Sequence, residues 1–380
     1  MAEFRSIPDL GGLNVTIPYK RKVLAWCDAL SPAARAIGCV NTLIFGQGGD
    51  RTGGKPYVYG HNTDYDGFVY LARRAGVDFT GKKTLILGSG GTSLTAAYAA
   101  GRLGASRVIR ISRQGPDNYE NLDRHRDAEI IVNTTPVGMY PQNGGQLVEP
   151  ADFPRLRGVL DVIYNPLRSR LVLEAREQGI AAEGGLAMLA AQAVAASRLF
   201  TGLSAAKEST EEVLEKLRAQ VENIVLIGMP GCGKTCIGQA VAKASGRPFL
   251  DTDKLVEAAA GREIPRIFAE EGEAGFRARE REAVARAGKE RNAVIATGGG
   301  AVLTPENRRA LAQNGRIYFL ERELDLLATA GRPLSKDLPE LYRRRLPVYQ
   351  AAADLTIIND RLPEDTVSDI LSAHRQGGRS

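Results

Sequence analysis

The sequence predicts an α/β protein built from two separate parallel-sheet units joined by a short helix. Short β-branched runs such as "KTLILG", "SRVIRIS", "AEIIVN" and "GVLDVIY" alternate with helix-period stretches such as "SLTAAYAAGRLG". That alternation marks strand–helix–strand units whose strands are buried on both faces. The pattern then restarts at Asn223 with "NIVLIGMPGCGKT", so each half carries its own strand, glycine turn and helix. Finally, the chain has 380 residues, of which 43% are hydrophobic and 25% charged, enough for each half to bury a core.

Composition narrows the function classes. The formal net charge is +6, nearly all of it in residues 1–203. No Lys/Arg run or basic-aromatic stripe accompanies the excess, which points to pockets for small anions and away from nucleic acid. Cys27, Cys39, Cys232 and Cys236 show no metal-ligand spacing. Free cysteines without a signal peptide indicate a reducing cytoplasm. No apolar run approaches the length needed to span a bilayer, so no membrane partner is expected. A homo-oligomer is left open.

The first element is "GLNVTIPYK", Gly12 to Lys20. It predicts a strand over Leu13–Ile17, stopped by Pro18, with Lys20 at its mouth. Polar motifs follow in "GCVNT" (Gly38–Thr42) and "GHNTDYDGF" (Gly60–Phe68), where Asn41 and Asn62 have the character of capping residues. "TLILGSGGTSLTAAYAA" is a strand, glycine turn and helix with Gly88-x-Gly90, but Ser93 stands where the third glycine of the dinucleotide fingerprint would fall. The next strand ends at Ser112-Arg113, and a cation there suits a ribose 2′-phosphate where an acid would suit the free hydroxyl. "NTTPVGM", "DVIYNP" and "GLAMLAAQ" complete this half.

This set of motifs resembles the shikimate dehydrogenase family over residues 12–202. The resemblance implies a Rossmann-like NADP-binding part at about 66–180, with a substrate part at about 1–65 and 181–203. It makes Lys20 and Asp64 the catalytic pair. Thr16, Asn41, Asp64, Tyr164 and Gln192 would contact substrate, and Gly88, Gly90, Gly91 and Arg113 would hold NADP(H). The residues suit those roles: reduction of a ketone makes an alkoxide, which a lysine oriented by a carboxylate can protonate. Members of this family carry a longer segment before the NVT-P-K motif, including a Ser-x-Ser element that grips the substrate carboxylate. Here "MAEFRSIPDLGG" stands instead. The expectation is therefore a truncated substrate part with an exposed sheet edge, and a dehydrogenase of reduced competence.

Between the halves, "STEEVLEKLRAQ" predicts a linker helix within 204–220, with Ser209 and Glu212 spaced as a capping box. The second unit spans 221–374, and 375–380 is expected to be a disordered tail.

"GMPGCGKT", Gly228 to Thr235, fits the phosphate-loop pattern between an apolar strand and a helix. Gly228, Gly231 and Gly233 allow backbone N–H groups to turn toward phosphates. Lys234 neutralises the β/γ charge, and the Thr235 hydroxyl can ligate magnesium. This loop alone leaves NTPase, GTPase and small-molecule kinase open. Downstream, "FLDTD" places Asp251 and Asp253 on one face of a strand end, and "FRARE" sets Arg277 and Glu280 one helical turn apart. "ATGGG" ends a buried strand at Gly298–Gly300, Arg332 precedes a proline in a polar loop, and Arg345 lies in an arginine run.

Together these motifs resemble shikimate kinase over about 222–358, within the nucleoside-monophosphate-kinase-like fold, and imply a five-stranded parallel sheet. The resemblance implies that Asp253, Arg277 and Arg345 bind shikimate beside Gly299 and Gly300. It also implies that Thr235 and Asp251 serve Mg2+, and that Lys234, Asp253 and a lid Arg332 act in catalysis with ATP. The adenine-packing arginine common just before the lid is missing from "LLATAGRPL". The joint expectation is an enzyme that reduces 3-dehydroshikimate to shikimate and then phosphorylates the 3-hydroxyl. The alternatives are a kinase with a dehydrogenase-like binding appendage, or a regulatory ATPase with no metabolite substrate.

Overall fold

A computed structural model describes residues 4, 7, 10–16, 18–46, 57–202, 209–327 and 338–376. The chain divides into two compact units, Met1–Leu214 and Glu215–Ser380.

The first unit holds two sheets. β1 (Gly12–Asn14), β2 (Ala29–Leu30), β3 (Thr42–Gly46) and β4 (Tyr57–His61) form a small mixed sheet in the order β1-β3-β4-β2, with α1 (Pro32–Ile37) between β2 and β3. β1 stands at an edge, antiparallel to β3, with Gly12 opposite Ile44. The predicted strand Leu13–Ile17 is displaced and shorter. It ends at Asn14, and Pro18 to Arg21 form a turn before a 3-10 helix at Lys22–Trp26. Proline offers no N–H to a ladder, which ends pairing well before it. Ile17 lies outside the described residues.

After α2 (Thr63–Arg74), the second sheet collects β5 (Lys83–Leu87), β6 (Arg107–Ile111), β7 (Ile130–Asn133), β8 (Gly158–Asp161) and β9 (Ala181–Glu183). It is wholly parallel in the order β6-β5-β7-β8-β9. Its core includes Leu85, Leu87, Ile111, Ile131 and Val159, all buried. α3 (Gly91–Arg102) follows β5, α4 (Arg170–Glu177) precedes β9, and α5 (Leu186–Thr201) closes the unit against α2. That contact needs Gly67, because a Cβ there would sit 2.6 Å from the Met188 carbonyl oxygen. The sheet reverses its strand order between β5 and β7, and ligands of such sheets bind outside the carboxyl ends at that point.

α6 (Thr210–Val221) begins with the predicted capping box: Ser209 N–H donates to Glu212 Oε2 at 2.6 Å, and Glu212 N–H to Ser209 Oγ at 3.2 Å. The division between units falls inside this helix.

The second unit has one parallel sheet built from β10 (Asn223–Ile227), β11 (Phe249–Asp251), β12 (Val294–Ala296), β13 (Gly315–Glu321) and β14 (Leu355–Ile358), in the order β11-β12-β10-β13-β14. Around it lie α7 (Lys234–Ser245), α8 (Thr252–Ala260), α9 (Ile264–Gly288), α10 (Pro305–Asn314), α11 (Leu338–Ala352) and α12 (Pro363–Gln376). β10 is buried along its whole length, as the central strand of a parallel sheet must be. α9 is interrupted at Gly272, whose φ of 69° and ψ of −174° only glycine adopts readily. α12 continues through Arg375 and Gln376, which corrects the expected start of a disordered tail. The Arg375 side chain also donates through Nε to Leu371 O at 3.2 Å.

Candidate active sites

In the first unit, β3 and β4 pair so that Thr42 faces His61. This register brings Asn41, just before β3, against the residues just after β4. Asn41 N–H donates to the His61 carbonyl at 3.1 Å, and Asn41 Oδ1 accepts from Thr63 N–H at 2.7 Å. Asn62 caps α2, accepting from Tyr65 N–H at 3.1 Å, and leaves Asp64 in the first turn.

Asp64 is held from two sides. Its Oδ2 accepts from Lys20 Nζ at 2.6 Å and its Oδ1 from Asn41 Nδ2 at 3.0 Å. Asn41 gives its other amide hydrogen to Thr63 Oγ1, also at 3.0 Å. Lys20 and Asp64 keep 18% and 12% of their side-chain surface, so the pair is largely withdrawn from water yet reachable. Among the described residues Lys20 Nζ donates to no other group, which leaves two ammonium hydrogens for a ligand.

The cofactor turn lies at the carboxyl end of β5. Gly88 has a φ of 122°, and a Cβ on it would meet Thr134 Oγ1 at 2.6 Å. Gly90 caps α3 without any side-chain bond, and open space lies where its Cβ would be. Gly91 opens that helix. This is a bare helix N-terminus that backbone N–H groups can offer to a phosphate. Arg113 is exposed two residues beyond β6. Thr16 is exposed, Tyr164 is 50% exposed after β8, and Gln192 lies on α5, donating to Leu189 O at 3.1 Å. Among the described residues no hydrogen bond joins these three to Lys20 or Asp64.

A polar centre that the sequence did not single out supports the Tyr164 turn. Asp161 is fully buried at the end of β8 and accepts from Ser169 Oγ at 2.6 Å, Ile163 N–H at 3.0 Å and Asn133 Nδ2 at 3.1 Å. Burial pushes its carboxyl up to about 6, against the opposing pull of these donors. The signal was present in "DVIYNP", an acid closing an otherwise apolar strand.

In the second unit all strands end on one edge, and there a cleft of about 900 Å³ opens, lined by Lys234, Asp251, Asp253, Arg277, Gly299 and Arg345 among others. Gly228, Gly231 and Gly233 all have positive φ, at 146°, 92° and 95°. Lys234 is buried, its Nζ donating at 2.9 Å to the carbonyls of Gly228 and Met229.

The two aspartates do not share a strand face. Asp251 ends β11 and caps α8, accepting from Asp253 N–H at 3.0 Å through Oδ1, whereas Asp253 is already helical. The cap forces this change of direction: an extended aspartate with its side chain on the next backbone N–H groups starts a helix at once. Both carboxylates still reach the cleft. Asp251 Oδ2 accepts from Thr235 Oγ1 at 2.9 Å, which sets two hard oxygen donors together as magnesium requires. Asp253 Oδ1 is buried with no partner among the described residues. Burial first, then the carboxylates of Asp251 and Glu280, push the Asp253 pKa up to about 6, while Lys234 opposes them.

Arg277 donates to Glu280 Oε2 at 2.7 Å, as the spacing predicted, but Glu280 is only 1% exposed, so this is no surface pair. Burial raises the Glu280 pKa, outweighing the attraction of Arg277 and Arg345. Gly298 and Gly300 admit two side-chain tips: a Cβ would lie 2.4 Å from Asp253 Oδ1 and 2.6 Å from Arg277 Nη1 respectively, and would displace them from their present positions. Arg345 Nη1 donates to Gly299 O at 3.3 Å, and the Tyr349 hydroxyl donates to the same oxygen. Tyr349 and Asn359, which donates to Cys232 O at 2.6 Å and so braces the glycine loop, were not picked out from sequence. Arg332 lies outside the described residues. No group of three or more acidic, His or Cys side chains suited to hold a metal alone occurs among the described residues. A magnesium bound mainly through phosphates needs no such cage.

Comparison with known proteins agrees with this division. The family model described as shikimate kinase matches residues 230–375, and that of the shikimate dehydrogenase substrate binding domain matches residues 1–43. A shikimate dehydrogenase (NADP(+)) of Clostridium perfringens is 32% identical over 222 residues, covering 55% of this chain and 79% of the relative. A shikimate kinase of Symbiobacterium thermophilum is 46% identical over 171 residues, covering 41% of this chain and 98% of the relative. Among solved structures, a chorismate mutase/shikimate 5-dehydrogenase fusion protein from Clostridium acetobutylicum is 31% identical, with a TM-score of 0.49, covering 55% of this chain and 77% of that one.

Proposed function

The chain belongs to the shikimate dehydrogenase family through its first unit and to the shikimate kinase family through its second, and from that premise we propose how its own residues carry out two consecutive reactions. It is a bifunctional enzyme of aromatic amino-acid biosynthesis. One activity reduces 3-dehydroshikimate to shikimate with NADPH; the other phosphorylates the shikimate 3-hydroxyl with ATP and Mg2+.

In the reduction, bound NADPH supplies the hydride. Gly88, Gly90 and Gly91 offer the bare start of α3 to its phosphates, and Arg113 meets the 2′-phosphate. Thr16, Tyr164 and Gln192 position the substrate. The ketone oxygen becomes an alkoxide as the carbon is reduced, and Lys20 gives it a proton. Asp64 keeps the lysine aimed, and Asn41 fixes Asp64 by a hydrogen bond in addition to any contact it makes with substrate. The lysine's remaining donors among the described residues match this task.

In the phosphorylation, Arg277 and Arg345 grip the shikimate carboxylate as planar cations. Asp253, whose Oδ1 has no partner among the described residues, accepts the hydrogen bond of a ring hydroxyl. Lys234 and the glycine loop hold the transferred phosphoryl group, with the lid residue Arg332 adding a further cation. Thr235 and Asp251 hold magnesium, which neutralises phosphate charge when bound. Phosphoryl transfer depends mainly on such positioning and charge neutralisation.

The observation that carries the bifunctional reading is an assembled Lys20–Asp64 pair on the same chain as an assembled phosphate-loop and arginine cleft. Four free cysteines, two of them buried, suit a reducing cytoplasm. Among the described residues no helix is long and apolar enough to cross a membrane.

The test supplies the full chain with 3-dehydroshikimate, NADPH, ATP and Mg2+, and follows NADPH absorbance together with shikimate 3-phosphate by phosphorus NMR. Both signals are expected. ATP-dependent phosphorylation of added shikimate without any NADPH oxidation would reduce the first unit to an appendage. ATP turnover indifferent to shikimate would remove the kinase assignment.

A further inference from the structure

Arg322 follows β13 directly and lines the phosphate-loop cleft. Its side chain is half-buried, and its Nε is buried with no hydrogen-bond partner among the described residues. Among the described residues it makes no hydrogen bond and no ion pair. Acids stand nearby but are engaged elsewhere: Asp360 Oδ1 accepts from Glu323 N–H at 3.0 Å, and Glu321 interacts with the Tyr342 hydroxyl. A withdrawn guanidinium with no acid opposite it carries an uncompensated charge, which the electron-rich face of a bound ring can offset.

Strand order shows which ligand. The strands are parallel, so all their carboxyl ends lie on one edge of the sheet. The acceptor-side groups Asp253 and Gly298–Gly300 follow β11 and β12, on one side of the glycine loop that follows β10. Arg322 and Asn359 follow β13 and β14, on the other side. Asn359 N–H donates to Glu321 O at 2.8 Å, which keeps these two exits together. A Cβ on Gly233 would lie 3.1 Å from Asn359 Nδ2 and 3.9 Å from Arg322 Nη1. The transferred phosphoryl group must sit between loop and acceptor. The rest of the nucleotide therefore extends over the β13–β14 side, where Arg322 stands.

We propose that Arg322 is a nucleotide-binding residue that packs its planar guanidinium against the nucleoside end of ATP. This rests on the kinase assignment of the second unit. A cation at a purine face gains from charge and stacking together, and the planar, weakly hydrated guanidinium suits that better than an ammonium. The acceptor side of the cleft holds its own arginines and does not depend on Arg322.

The test measures ADP affinity by calorimetry, and KM for ATP and for shikimate, in the full chain and in Arg322→Ala and Arg322→Lys. ADP affinity and the ATP KM are expected to weaken about tenfold in the alanine variant, with only partial recovery by lysine. The shikimate KM should stay within about twofold, which also certifies the fold. Inorganic tripolyphosphate, used as a competitor of ATP, should bind all three proteins alike. Unchanged ADP affinity in Arg322→Ala would overturn the inference, and so would an equal loss of tripolyphosphate binding, which would place the contact on the phosphates. If the unsubstituted chain bound no ADP, the kinase assignment and the inference would both fall. Normal binding there with an unaffected variant would remove only the inference.

Discussion

Replacing Asp253 by asparagine separates the stability of the second unit from its activity. The carboxyl is buried beside Asp251 and Glu280, and its pKa stands at about 6 against an ordinary 3.8. For an acid raised in this way the folded state holds its proton more tightly than the unfolded chain does. Stability therefore falls as pH rises from the unfolded value to the folded one, and is constant above it. The displacement corresponds to about 3 kcal/mol of destabilisation at pH 8, about half of it already present at pH 5, and none of it well below pH 4. Asparagine is nearly isosteric and uncharged, so Asp253→Asn should stabilise this unit by up to about 3 kcal/mol at pH 8. Its advantage over the parent should shrink toward pH 5. Kinase turnover should meanwhile fall at least about a hundredfold, since the acceptor hydroxyl loses its charged partner. Native-state hydrogen exchange, read on peptides from β10 and β12, follows this unit by itself at both pH values. An asparagine variant no more stable than the parent at pH 8, or one whose advantage did not depend on pH, would refute the argument that burial and like charges raise this carboxyl.

Other substitutions test other parts of the molecule. Lys20→Met and Asp64→Asn should each lower NADPH-dependent reduction at least about a hundredfold while leaving shikimate phosphorylation unchanged, as initial rates of both assays on one preparation would show. Tyr349→Phe removes one donor from the Gly299 carbonyl, so the shikimate KM should rise about threefold to tenfold with the ATP KM unaffected. Asp161→Ala strands three buried donors, from Ser169, Ile163 and Asn133, and should cost the first unit about 3 kcal/mol in urea unfolding followed by emission of Trp26, the single tryptophan of the chain.

The second unit was the more legible of the two in sequence. Its phosphate loop, aspartates, arginines and glycines fall in short motifs whose chemistry depends on local spacing, and Arg277 with Glu280 shows how a one-turn separation predicts a real bond. Misjudged features were those that depend on surroundings. Spacing placed Arg277 and Glu280 one turn apart but could not show that Glu280 is buried, because burial is set by segments far away in the chain. Asp251 and Asp253 looked like neighbours on a strand because alternation cannot foresee that the first would cap a helix. The first unit's lysine and aspartate were nameable, but their meeting depends on a turn and a helix start that are 44 residues apart.

By itself the sequence determined two α/β units, their glycine turns and the residue types at each site, because hydrophobic periodicity and short motifs are local properties. Tertiary structure alone decided which groups share a proton or a charge. Asn41 steadies Asp64 because the β3–β4 register sets them side by side. Asp161 and Asp253 carry raised pKa values because the strands around them exclude water. Arg322 borders the phosphate loop because β13 ends beside β10. Each of these follows from pairing and burial between distant segments, which no single stretch of the chain encodes.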